Sequence, residues 1–336
     1  MTFLKEGRRE QVNRFSVRSS FHIFRRTVIC GRYSRSQRSF IEKYKNRLTI
    51  SAQYIVDAAH KKPNPDGKDG DMHVAGQAPE IGLATVAEIQ NAKSVPAAVD
   101  AIHAVEGTGQ SIALSGVRRI WPEHGGDNSH IQQSEAGAPY EGPTPTNPPH
   151  VFEVHPILNL GDQELRDTLQ PIAGYEEKEA EDAFSRYERS TFEITPSEDR
   201  VRLRMRMIGF NYVKFMLKLR KRFHREEDGE LVSAAIYSAK EDEQELLVHD
   251  RRVGFVAGTA PDEKQKSLQV GDCMLVLGIP RVDLALVSWR IRHGGDARAG
   301  QCPTRSSRSA FTMTRRNNVA TRRDRRPPAF LDTKAA

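Results

Sequence analysis

Three cysteines among 336 residues leave little material for covalent or metal stapling. Cys30 and Cys302 lie in arginine-rich ends and Cys273 stands alone in an apolar run, so neither a disulfide framework nor a CxxC metal site is available. Long apolar runs are also missing. No stretch approaches the ~20 residues needed to span a bilayer, which argues against a helical membrane span. Phe21–Phe24 and Thr27–Cys30 are interrupted by Arg25 and Arg26, which breaks any secretory h-region. The common catalytic signatures are absent too: there is no GxSxG, no HExxH, no phosphate-cradling GxxxxGK[ST] and no GxGxxG opening a helix. What remains is a chain expected to be soluble and more readily monomeric than obligately oligomeric, with no compartment written into it.

The formal charge of +7 is unevenly spread. Residues 1–47 hold 13 Lys and Arg against 3 acids, and residues 290–336 hold 12 against 3. The middle, 48–289, keeps the other 26 basic and 38 acidic residues, a surplus of twelve acids. The segment with folding potential therefore repels phosphate on average, so overall basicity is a poor argument for a nucleic-acid partner, although local basic patches remain open. The first 47 residues read as a basic extension, either disordered or targeting: their arginine and serine resemble an organelle transit peptide, with Glu6 and Glu10 counting against it. The end, 292–336, reads as an Arg-rich disordered tail.

Periodicity predicts a mainly β protein with few helices. Strands are expected at Leu48–Ala59, Met72–Gly76, Gly82–Ile89, Ser111–Trp121 and Val151–Leu160, and Val95, Ala98, Ile102 and Val105 recur at helical spacing between the third and fourth. Five strands with that one helix is the order of an OB-like barrel, here spanning 48–163 with a long Pro-rich loop at 122–149. A linking helix is expected within 164–190, its stripe formed by Ala180, Ala183, Phe184 and Tyr187. A second β-rich domain, a small barrel or sandwich, follows at 191–291. There Val201, Leu203, Met205 and Met207 alternate with arginines, and apolar segments continue as strands through Leu268–Trp289.

Two groups in the barrel carry chemistry. Residues two apart on a strand share a face, so Asp71 with His73, and Glu153 with His155, are set side by side as oxygen and nitrogen ligands. In an OB barrel the fifth strand lies between the third and fourth, which draws Glu88 and His124 toward them. A divalent cation held by Asp71, His73, Glu88, His124, Glu153 and His155 is the sharper expectation. The blander one makes Asp69-Gly70-Asp71 a turn and the histidines barrel residues bonded to backbone. Trp121, Arg118 and Arg119 are the candidate ligand-binding residues, with an unknown small ligand or protein segment as partner and nucleic acid as a weaker one.

The succession Asp69-Gly70-Asp71-Met72-His73, Thr85-Val86-Ala87-Glu88-Ile89, Ser115-Gly116-Val117 and Phe152-Glu153-Val154-His155-Pro156 resembles a group of small, uncharacterised bacterial proteins with OB-like barrels. The resemblance covers roughly Leu48 to Leu160 and implies the fold without an activity. The layout is also similar to the staphylococcal nuclease family. That likeness implies a metal-dependent phosphodiesterase in which Asp71, and more weakly Asp69, ligates a cation while Arg118 or Arg119 meets the phosphate. The family's arginine soon after the Asp-Gly-Asp turn has no counterpart, since none occurs between Arg47 and Arg118. The leading functional expectation is a binding module of unknown ligand built on the OB-like barrel, with the phosphodiesterase as the alternative and a purely structural or interaction role as the third reading.

Overall fold

The computed structural model describes residues 32–82, 85–120, 145–148, 150, 152–172, 174–189, 192–205, 211–239 and 245–293. Its first elements, β1 (Arg32–Gln37) and α1 (Arg38–Tyr44), lie inside the stretch assigned above to a basic extension. That boundary is corrected by packing. Phe40, Ile41 and Tyr44 form a short helical stripe sunk in the main core, with the Phe40 ring centroid 4.6 Å from that of Phe152. Counting charge overlooks three apolar residues that decide the matter.

The barrel follows from alternation. In β2 (Thr49–Ala59), Ile50, Ala52, Tyr54 and Val56 are buried while their neighbours are not. β3 (Met72–Gln77), β4 (Thr85–Ile89), α2 (Pro96–Val105), β5 (Ser111–Ile120) and β6 (Phe152–Leu160) come next. β2 pairs antiparallel with β3 and β5, β3 with β4, and β5 with β6; a parallel β4–β6 pair then closes the ring. This is the expected closed five-stranded barrel, with α2 between its third and fourth strands. β7 (Gln163–Glu164) adds a short edge to β6.

Gly116 sits at an irregularity in the β5–β6 ladder that sets the register Arg118↔Val154 and Arg119↔Glu153. A side chain could not be accommodated there, because a Cβ would lie 2.4 Å from Val154 Cγ1 and 2.6 Å from the Pro156 carbonyl oxygen. Close approach of two strands therefore requires glycine.

The second β-rich region contributes two further sheets. β8 (Lys178–Glu179), α3 (Ala180–Arg189), β9 (Phe192–Pro196), β10 (Arg200–Met205), β11 (Val213–Glu226), β12 (Gly229–Tyr237), β13 (Leu246–Val256), α4 (Ala260–Lys266), β14 (Cys273–Gly278) and α5 (Leu284–Arg292) follow in order. One sheet runs β1–β10–β9. The other runs β13–β12–β11–β14, with β8 parallel to the start of β11. Within the span expected to link the halves, α3 packs Ala180, Ala183 and Phe184 into the core of the larger sheet, against residues such as Val213 and Phe215. α5 replaces the strand expected through Trp289. Its cap residue Asp283 accepts hydrogen bonds from the backbone of Ala285 and Leu286, and Leu284 and Val287 supply a helical stripe. Barrel and sheet share a small core in which Leu48, Val117, Leu158 and Leu169 meet Leu231 and Val256. Among the described residues, no helix is long and apolar enough to cross a membrane.

Candidate functional site

Strand alternation sorts the barrel's polar residues onto one wall. Met72, Val74, Ala87, Ile89, Phe152 and Val154 belong to the main core, so their neighbours Asp71, His73, Glu88, Glu153 and His155 point away from it. β3, β4 and β6 are adjacent, and cross-strand partners His73↔Glu88 and Val86↔Glu153 bring these side chains side by side. Such a wall ordinarily faces water. Here it is covered: Tyr212, ahead of β11, bonds to Asp71, while Asn211 beside it and Pro280 beyond β14 accept from Arg119, which in turn bonds to Glu153.

The centre of the cluster is His155, fully buried along with Asp71. His155 Nε2 lies 3.4 Å from Asp71 Oδ2, and Nδ1 lies 3.2 Å from Glu88 Oε2. The Tyr212 hydroxyl donates to Asp71 Oδ2 at 2.7 Å and is 3.1 Å from His155 Nε2. Asp71 Oδ1 accepts from the Asn91 backbone at 3.3 Å. Glu88 Oε2 also stands 3.6 Å from His73 Nε2, yet it takes no aligned hydrogen bond from either ring, and His73 Nδ1 is likewise buried without a partner. One ligand atom from each of Asp71, Glu88 and His155 can be chosen so that all lie within 4.8 Å of one another.

Beside it runs a second, self-neutralising group. Arg119 Nη1 donates to Glu153 Oε2 at 2.7 Å and to Asn211 Oδ1 at 3.1 Å, while Nε donates to the Pro280 carbonyl. His150 bridges Glu153 Oε1 at 3.0 Å and the Pro148 carbonyl at 2.7 Å. Burial opposes ionisation of Glu153, but Arg119 and His150 outweigh it and hold the carboxyl far below its usual value. Burial is the largest single influence on His150 and opposes its charge, but the bond and charge of Glu153 together with the Pro148 carbonyl outweigh it and raise the imidazole above its usual value. In the central group burial also opposes charge on His155, yet Glu88 and Asp71 lift the imidazole to about 9. Burial pushes the Glu88 carboxyl up, with His155 and His73 opposing.

The sequence-derived set is thus divided. Asp71, Glu88 and His155 converge, His73 touches their margin through Glu88, and Glu153 is engaged by Arg119 and His150. Asp69 shapes the turn at φ 97° and accepts from the Asp71 backbone, so the turn reading suits it while Asp71 enters the cluster. Arg118 and Arg119 do not act together. They are neighbours on a strand and face opposite ways; Arg118 Nε reaches the Arg47 carbonyl, close to Asp228 and Asp283. Trp121 and His124 lie outside the described residues. Three participants escaped sequence reasoning. Asn211 and Tyr212 carry no motif, whereas His150 falls between the Pro-rich loop at 122–149 and the strand expected from Val151, where the pattern gives it no role although it stands three residues before Glu153.

No protein-family model matches the chain, and no curated protein is significantly similar to it. Among solved structures, one match is a deletion mutant of the single-stranded DNA binding protein from Thermus aquaticus, at 11% identity and a TM-score of 0.17, covering 70% of this chain and 86% of that one. So loose a likeness carries no argument. The OB-like order of the barrel rests on its own strand pairing.

Proposed function

We propose that this protein is a binding module built on an OB-like barrel, and that its ligand is a single divalent transition-metal cation held by Asp71, Glu88 and His155. The observation that carries the reading is the convergence of two carboxylates and an imidazole, from three adjacent strands, within 4.8 Å. Neighbouring ligands around a tetrahedral cation with bonds of ~2.1 Å sit ~3.4 Å apart, so the widest separation in the set would have to close by up to about 1.4 Å around the ion. The buried Glu88 Oε2, which takes no aligned hydrogen bond, is faced by His155 Nδ1 at 3.2 Å; a cation would take over that role by displacing the proton that keeps the imidazole charged, so its binding releases a proton. Two oxygens with one nitrogen suit Mn²⁺, Fe²⁺ or Zn²⁺ better than Ca²⁺.

The phosphodiesterase reading draws no support from the arginines. Arg119 is occupied by Glu153, Asn211 and Pro280, and Arg118 faces away. Equilibrium dialysis of the full chain against Mn²⁺ or Zn²⁺, with bound metal counted, tests the cation reading. One cation per chain is expected, lost in Asp71→Asn and in His155→Ala. Equal binding by the wild type and both variants sinks the proposal.

A further inference from the structure

A separate feature lies where β2 runs into the loop before β3. An open groove of about 1010 Å³ is walled by Ala58–Pro65, the last turn of α2 with His103, then Glu106, and Thr146. Its charge runs against the acidic character of the region as a whole. Lys61 and Lys62 are exposed at its rim, and neither has a carboxylate within ion-pairing distance among the described residues. Glu106 is the one acid in the lining, and both its oxygens are taken: Oε1 accepts from the Ala59 backbone at 2.9 Å and Oε2 meets His103 Nδ1 at 2.9 Å. His103 Nε2 is buried without a hydrogen-bond partner. His60 completes the set, its ring stacked on His73 at 4.6 Å and kept below its usual pKa by burial and by His73.

We infer that this groove binds a small phosphorylated ligand through a pyrophosphate-like group, gripped by Lys61 and Lys62 with the His60 and His103 rings beside it. Three features argue for that class. Two lysines without an ion-pair partner among the described residues outnumber the one carboxylate, Glu106, whose oxygens are held by the Ala59 backbone and His103, and the net positive charge favours an anion. Two successive lysines in a loop concentrate positive charge in one place, which matches adjoining phosphates better than phosphates spaced along a strand of nucleic acid. Among the described residues no Trp, Tyr or Phe lines the groove, so they offer none of the stacking platforms on which single-stranded nucleic acid is held. A volume near the upper end of small-molecule pockets leaves room for a group of nucleoside size beyond the phosphates. The site shares no residue with the cation cluster and stands or falls independently of it.

Isothermal titration of the full chain with inorganic pyrophosphate and with ADP, in chelator and at matched ionic strength, is the test. Saturable binding of one ligand per chain is expected, weakened at least tenfold in the double variant Lys61→Gln, Lys62→Gln. Both side chains are at the surface, so that variant should keep the wild-type circular dichroism and melting temperature. Absence of binding, or equal affinity in the double variant, overturns the inference. A ten-nucleotide oligo(dT) binding more tightly than either probe, with the same lysine dependence, also overturns it and makes the groove a nucleic-acid site.

Discussion

The Tyr212 hydroxyl donates a 2.7 Å hydrogen bond to Asp71 Oδ2, tying the segment before β11 to the foot of β3 across 141 positions of sequence. Both residues are buried, so the bond has no water to replace it. Burial, and then the neighbouring Asp71 charge, push the phenol's pKa well above its usual value, which keeps it a donor.

Tyr212→Phe removes that donor and leaves Asp71 Oδ2 short of a partner. A cost of about 1–3 kcal/mol in unfolding free energy is expected, read from the urea midpoint at constant m-value. A loss below about 0.3 kcal/mol would mean that Asp71 is satisfied without the tyrosine.

Ile41→Ala tests whether α1 belongs to the folded unit. Ile41 is fully buried, and truncation of such a side chain costs about 2–5 kcal/mol. Chemical denaturation measures it, and a change within about 0.5 kcal/mol, typical of surface positions, would detach α1 from the core.

Asp262 sets an acid-dependent part of stability. It is buried at the start of α4, where Arg225 meets both its oxygens at 3.0 and 2.8 Å and Gln265 and Lys266 add bonds at 3.3 Å. Burial alone would raise its pKa; the Arg225, Gln265 and Lys266 bonds outweigh it and hold the carboxyl below the usual value. The folded state therefore binds the proton more weakly than the unfolded chain. Its contribution is present above the unfolded value of ~3.9 and is lost as pH falls through the lower folded value. Urea midpoints measured from pH 6 to pH 3 should fall less steeply in Asp262→Asn than in the wild type; parallel profiles would contradict the assignment.

Much of the barrel was legible in the chain because β2 to β6 are half-buried or fully buried strands whose apolar residues alternate or run continuously. The same rule exposed Asp71, Glu88, Glu153 and His155 as polar residues set within apolar strands. Applied one step further, it also separates Arg118 from Arg119, since successive residues face opposite ways. The α5 segment misled because Leu284–Val287 is apolar at any periodicity; the Asp283 cap was the usable signal. Tyr212 and Asn211 had no signal at all. Their role comes from docking of the larger sheet on the barrel wall, a contact that local pattern does not encode.

The parallel β4–β6 pair has a consequence for the timing of assembly. Glu88 and His155 come from strands separated by about sixty residues, and only ring closure sets them side by side. Partly folded chains that have zipped β2, β3 and β4 but not yet received β6 lack the imidazole altogether. A ligand that requires all three side chains therefore recognises the finished molecule alone, and the onset of its binding during refolding would clock the moment of closure, separately from the growth of β structure.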